Sequence, residues 1–299
     1  MTGVLNVYKE KGYTSHDVVA IIRKITKSKK VGHTGTLDPD ATGVLPICLG
    51  RATKLAEYLA SADKTYVAEV ILGVETSTGD MSGEVIVSKT VDYDKNAISN
   101  AVNSFSYSER GEYMQVPPMY SAIKIGGKKL YELARKGETI DRPPRPVIIH
   151  DIKVLNFTPE KNAFTIEVKC SKGTYIRSLA TDIGQMLGCG GTMGELVRTQ
   201  SGIFSIDNAI KLDAIKDANQ NGTFEQHILP VDKLLPYPMV YVTNDELTLA
   251  LNGNPLPLSV VNTETTPGDM FWICSQNDQY KIIGLYSRED KKLRAKVML

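Results

Sequence analysis

Cysteine, histidine and tryptophan are scarce in this chain: four, four and one among 299 residues. Cys48, Cys170, Cys189 and Cys274 form no C-x-x-C pair and stand in apolar or glycine-rich contexts, which predicts buried, reduced thiols and no disulfide framework. No two histidines have H-x-x-x-H spacing, so no metal site is expected. No apolar run approaches the roughly 20 residues that span a bilayer, and residues 1–11 carry Lys9, Glu10 and Lys11 in place of a leader's apolar stretch. A cytoplasmic protein away from the membrane is expected. The net charge of +1 excludes an overall basic or acidic character, so any charged partner must be read from local distribution.

What is present is an ordinary globular composition, with 42% hydrophobic and 23% charged residues. The length exceeds the roughly 250 residues at which single cores stop growing. A proline-containing linker at 229–238 separates a large region, 1–235, from a small one, 236–299. The latter reads as one short helix (245–251) and strands at 270–274, 280–286 and 293–299.

Along the large region, 5–8 is a strand candidate, and Thr14 with Asp17 three residues on predicts a capped helix burying Val18, Ile21, Ile22 and Ile25. That helix runs into Arg23, Lys24, Lys27, Lys29 and Lys30, with no acid among residues 21–30. Either the helix C-terminus attracts these cations or an RNA backbone does. Leu55, Tyr58, Leu59 and Ala62 have helical spacing. A strand from Lys64 to Leu72 puts Tyr66, Ala68, Val70 and Leu72 on one face, and 84–88 is expected to pair with it. Asp94 caps a helix with Ala97, Ile98, Ala101, Val102 and Phe105 inward. The stretches 147–157 and 164–170 read as paired strands, and Thr174 caps a helix ended by Gly188. Arg177 falls in that helix's first turn, where the dipole disfavours a cation; a partner carboxylate would account for it.

Residues 113–146 differ in character. Paired prolines at 117–118 and 143–144 flank Gly126-Gly127, Tyr113, Met114, Met119 and Tyr120 supply large side chains, and seven basic residues outnumber three acids. A solvated loop would be charged too, but a basic bias interleaved with aromatics is the footprint of RNA.

The stretch from Val31 to Pro46 is too polar for a core strand and too rich in glycine and proline for a helix, and it holds His33, Asp38 and Asp40. Residues 38–42 match the D-x-D-x-T pattern of a magnesium-dependent phosphatase, but the apolar strand that should precede it is missing. No G-K-[ST] follows the glycines, so a P-loop fails. Taken singly, Asp38 could be a helix N-cap before Pro39, His33 a turn residue and Tyr66 a core tyrosine.

Together, Gly32-His33-Thr34-Gly35-Thr36-Leu37-Asp38-Pro39-Asp40-Ala41-Thr42-Gly43 resembles the signature of the bacterial tRNA pseudouridine-55 synthases, the TruB family. Similarity extends to residues 12–17, 63–66, 116–122 with 128–131, and 170–177. The resemblance implies an α/β (α+β) pseudouridine-synthase fold with a mixed, largely antiparallel sheet. It assigns catalysis to 1–235, a thumb insertion gripping RNA to 113–146, and a small β-rich PUA-like RNA-binding domain to 236–299. The implied activity is isomerisation of a uridine in the tRNA T-loop, with no cofactor and no metal, by a monomer. By the same resemblance Asp38 is the nucleophile, Arg177 its partner, and Tyr66 the residue that stacks on the flipped base and takes its C5 proton. His33, Tyr175, Leu196, Lys64, Lys128 and Lys129 contact substrate. Thr36 and the acidic Asp40 depart from the usual pattern; Asp40 would raise the Asp38 pKa unless it points to solvent. A non-catalytic tRNA chaperone using the same groove is the alternative.

Overall fold

Helix α1 (Ser15–Thr26) opens on the capping box that the sequence predicts: Thr14 Oγ1 accepts from the Asp17 amide (3.1 Å), and the Asp17 carboxylate accepts from the Thr14 amide (2.8 Å). In the computed structural model, which describes residues 1–261, 268–276 and 281–299, α1 follows strand β1 (Gly3–Lys9) and precedes β2 (Val31–His33), β3 (Thr42–Leu49) and β4 (Lys64–Leu72). These strands belong to one large mixed sheet. From one edge its order is Ile149–Thr158, Ala163–Cys170, β4, Gly191–Ser201, β3, β1 and Ile210–Lys211. Along this order the pairs are antiparallel except for 191–201 with β3 and β1 with 210–211. The expected mixed, largely antiparallel α/β sheet is therefore present.

One face of the sheet carries the helices. Val18 and Ile22 of α1, Ile98 and Val102 of Lys95–Asn103, Leu179 and Ile183 of Ile176–Met186 and Ile215 of Leu212–Gln220 pack onto Val7, Ile47, Ala68, Val70 and Ile166. The opposite face, at β1 and β3, is covered by a second sheet of five strands ordered Met239–Val242, Met270–Ser275, Ile282–Glu289, Lys292–Met298 and Leu256–Pro257. Trp272, Cys274, Leu285 and Val297 pack there against Val4, Val44 and Cys48.

Several sequence expectations are corrected. The 85–88 strand pairs with Val74–Thr76, not with β4, because β4 already has a neighbour on each side. Thr174 does not cap the 176–186 helix; Tyr175 holds that position while Thr174 Oγ1 donates to the Ser171 carbonyl (2.9 Å). Ala97 is exposed, and the 55–62 helix begins as a 3₁₀ turn, Gly50–Leu55, before Ala56–Ala60. Of the expected strand at 280–286, Tyr280 lies outside the described residues. All four cysteines are buried free thiols.

Residues 113–146 form a lobe of their own. Tyr113–Gln115 and Arg145–Val147 pair antiparallel at its base. Gly126 and Gly127, with φ of 58° and 82°, turn a tight hairpin between Lys124–Ile125 and Lys128–Lys129. Met119, Leu130 and Leu133 close a small core.

Candidate active site

The loop between β2 and β3 anchors Leu37 and Ala41 in the main core, and its polar remainder is tied down through its backbone. Ser15 Oγ, at the start of α1, accepts from the Leu37 amide (2.9 Å) and donates to the Leu37 carbonyl (3.2 Å). The Pro39 carbonyl accepts from Lys9 Nζ and from the Gly12 amide, each at 3.0 Å. Arg198, 2% exposed, donates to the carbonyls of Val44 (2.7 Å), Gly35 (3.3 Å) and Thr36 (3.4 Å). The Ala41 amide bonds the Asp38 carbonyl (3.1 Å) across Pro39-Asp40, so Asp38 opens a turn and is not a helix cap. Asp40 is exposed.

Asp38 thereby meets Arg177. Arg177 Nη2 lies 3.2 Å from Asp38 Oδ2, and the arginine side chain is 6% exposed against 41% for the aspartate. The same guanidinium donates to the carbonyls of Thr78 (3.1 Å) and Tyr120 (2.8 Å), and its Nε is 3.8 Å from Asp80 Oδ2. Asp80 is itself fixed: its Oδ1 accepts from Thr78 Oγ1 (2.7 Å) and the Ser82 amide (3.0 Å). An arginine in the first helical turn thus has two carboxylates and two carbonyls to compensate for the dipole.

Tyr66 projects into the buried face of β4 and lies opposite Arg198 in register, while Leu196 lies opposite Ala68. Burial pushes the Tyr66 phenol up; Arg198 acts against this and Asp38 adds to it. Tyr175 is half-buried, with its amide and carbonyl held by the Gln115 side chain at 2.7 and 3.0 Å. Its phenol is also pushed up, first by burial, with Asp38 contributing. Asp38 is therefore an electrostatic neighbour of both tyrosines. His33 sits where β2 enters the loop, its Nδ1 accepting from the Gly35 amide (3.2 Å) and its ring edge-on to His16. Burial holds its pKa below 6.5.

Two further groups of sequence-proposed residues have their hydrogen bonds with partners outside the pair of Asp38 and Arg177. Lys64 is buried, and its ammonium donates to the carbonyls of Ala60 (2.5 Å) and Ala62 (2.6 Å); burial brings its pKa down to about 8. Lys128 and Lys129 are on the hairpin of the 113–146 lobe, where Lys129 Nζ contacts the Tyr131 hydroxyl (3.2 Å). The lobe's base joins the site through Gln115 and Tyr120, and through the Val116 carbonyl, which accepts from Ser178 Oγ (2.9 Å).

Lys9, Ser15, Asp80, Gln115 and Arg198 were not singled out from the sequence. For Lys9 and Arg198 a signal existed: each occupies the inward register of a strand, in series with Leu5 and Val7 or with Leu196. A cation there must find buried acceptors. Lys9 does so in the carbonyls of Tyr13 (2.7 Å), Pro39 and Glu10, and burial lowers it to about 8 against the pull of Asp38 and Asp40. Among the described residues, no cluster of three or more His, Cys, Asp or Glu side chains is arranged to hold a metal, and no helix is long and apolar enough to cross a membrane.

Sheet order and carboxylate loop together define a pseudouridine-synthase fold. The chain superposes on the crystal structure of a Cbf5-Nop10-Gar1 complex with a TM-score of 0.74 at 29% identity, covering 99% of this chain and 84% of that one. The family model described as TruB family pseudouridylate synthase (N terminal domain) matches residues 23–176, and that for the tRNA pseudouridylate synthase B C-terminal domain matches 177–236. The tRNA pseudouridine synthase B of Staphylococcus haemolyticus (strain JCSC1435) is 45% identical over 97% of this chain and 95% of its own. That of Bacillus subtilis (strain 168) is 44% identical over 93% and 90%. The chain belongs to the TruB family.

Proposed function

We propose that this chain, by family a tRNA pseudouridine synthase and so an isomerase, acts on uridine-55 in the T-loop of tRNA. The bond from N1 to the ribose breaks, the ribose carbon rejoins C5 of the same base, C5 loses a proton and N1 gains one. Electrons balance within a single nucleotide. Asp38 is the nucleophile that divides the exchange into two steps, and the observation that supports this is its pairing with buried Arg177 on a loop fixed at its carbonyls. Arg177 keeps the carboxylate aimed as RNA displaces water.

The target base must leave its stack, at a cost of a few kcal/mol. Stacking on Tyr66 returns about 1–3 kcal/mol, and its phenol, pushed up by burial with Arg198 acting against that, is assigned the C5 proton. Tyr175 and Leu196 line the uracil pocket, and His33 contacts the RNA beside it. Residues 1–235 carry out catalysis, with 113–146 as the thumb that closes on RNA through Lys128 and Lys129, and 236–299 add RNA-binding surface. The setting is the cytoplasm and the working unit a monomer.

The test is tritium release from [5-³H]uridine-labelled tRNA by wild type and Asp38→Asn. Release by wild type that vanishes in a variant still binding tRNA is the expected result. Release surviving in the variant would move the nucleophile elsewhere. No release from either, with binding intact, would make the chain a tRNA chaperone.

A further inference from the structure

We infer that the basic turn after α1 binds the phosphodiester backbone of the RNA stem leading into the target loop, a reading that rests on the proposed tRNA substrate. Arg23, Lys24, Lys27, Lys29 and Lys30 are all exposed, and none forms an ion pair among the described residues. The helix dipole accounts for Arg23 and Lys24, which lie in the last turn of α1. It does not account for Lys29 and Lys30, which lie beyond the helix.

Lys27 is the more telling residue. It closes α1 in the left-handed region with φ of 51°, a position where glycine or asparagine is the usual occupant. The chain accepts that strain and keeps a cation there. Arg23 meanwhile braces the turn by donating to the Val31 carbonyl (3.1 Å).

The turn leads directly into β2, only three residues long, and β2 ends at His33 beside the Asp38 loop. At about 3.3 Å per residue, Lys30 lies roughly 10 Å along the backbone from His33, the span of about three stacked nucleotides at roughly 3.4 Å each. A uridine drawn into the Asp38 pocket therefore brings the phosphates of nearby nucleotides over Lys29 and Lys30. The turn is fixed at its far end, where the Gly50 amide donates to the Lys30 carbonyl (2.8 Å). Lysines act as point charges without bidentate geometry, which suits contacts that position a backbone without reading sequence.

The experiment compares the full-length protein with the variant Lys24→Gln/Lys27→Gln/Lys29→Gln/Lys30→Gln. Dissociation constants are measured between 50 and 200 mM KCl for an unmodified tRNA transcript and for a stem-loop carrying only the target loop. With about 0.7–0.9 released counterions for each of four phosphate contacts, the salt slope is expected to fall by about 3 for both RNAs, with the activity loss falling on KM more than on kcat. Lys27→Gly, which relieves the left-handed strain, is expected to hold or raise Tm while still weakening binding, so loss of fold would not explain the result. Unchanged affinity and slope would overturn the inference, as would a loss confined to whole tRNA. Wild type that binds tRNA but forms no pseudouridine would instead defeat the proposed function, since the salt slopes do not depend on catalysis.

Discussion

The Arg177 guanidinium, almost wholly buried, holds the half-exposed Asp38 carboxylate at 3.2 Å through Nη2, which also donates to the Tyr120 carbonyl, while Nη1 donates to the Thr78 carbonyl and Nε faces Asp80. A single planar group thus joins the carboxylate loop, the 76–84 turn and the base of the 113–146 lobe. Lysine offers one point charge and cannot serve these acceptors together. Arg177→Lys should lose at least two charge-assisted bonds, each worth about 1.5–3 kcal/mol, and kcat should fall on the order of 100-fold. Single-turnover pseudouridine formation measures this; a rate within threefold of wild type would show that the pairing is not used.

Asp80 acts through Arg177. Asp80→Asn keeps a side-chain oxygen for Thr78 and the Ser82 amide, yet removes the charge 3.8 Å from Arg177 Nε. About a tenfold loss in kcat is expected, equivalent to about 1.4 kcal/mol, with KM little changed. A change in KM alone would assign Asp80 to RNA binding.

His33 gives a pH dependence of definite sign. Its folded pKa is held below 6.5, first by burial and then by the charges of His16 and Arg198. The unfolded chain therefore binds more protons between that depressed value and 6.5, and stability rises with pH across this window. The contribution is fully present above 6.5 and is lost as pH falls through the folded value, where protonation also removes the Nδ1 acceptor for the Gly35 amide. Urea midpoints at pH 7.5 and 5.5 should separate more for wild type than for His33→Gln. Equal separations would place the acid sensitivity elsewhere.

Gly43, the second residue of β3, has φ 103°, and a Cβ there would collide with the backbone carbonyl of Arg198 on the neighbouring strand. Gly43→Ala combines an incompatible backbone with a clash at the parallel pairing, so it should cost more than the roughly 1 kcal/mol of an ordinary glycine replacement. The Tm should drop by several degrees and activity should fall with it. A variant with unchanged Tm would mean that the two strands separate locally without consequence.

Local chemistry made much of this legible. Thr14 with Asp17 announced α1, the alternation through Tyr66, Ala68, Val70 and Leu72 announced β4, and paired prolines around Gly126-Gly127 marked the lobe. Arg177 in a first turn called for a carboxylate, and Asp38 supplied it. What stayed hidden was the support of the loop. Ser15 and Lys9 meet Leu37 and Pro39 only after the chain folds back, and Arg198 reaches Gly35 from over 160 residues away. Such contacts fall on backbone carbonyls, which every residue carries, so side-chain patterns give no sign of them. The partners of Lys64 were hidden for the same reason, because its ammonium donates to the carbonyls of Ala60 and Ala62.

The second sheet does not hang from the first by a tether. Trp272, fully buried, donates Nε1–H to the Leu235 carbonyl (3.2 Å) and shares one apolar cluster with Val4, Val44 and Cys48, on the reverse of the strands whose ends carry the Asp38 loop. Heat should therefore melt the two sheets in one cooperative event, with a single calorimetric peak in place of two. Evolution of residues 236–299 is constrained accordingly, because a change made there for the sake of a new RNA contact is also felt, through the backs of β1 and β3, by the carboxylate on the other side.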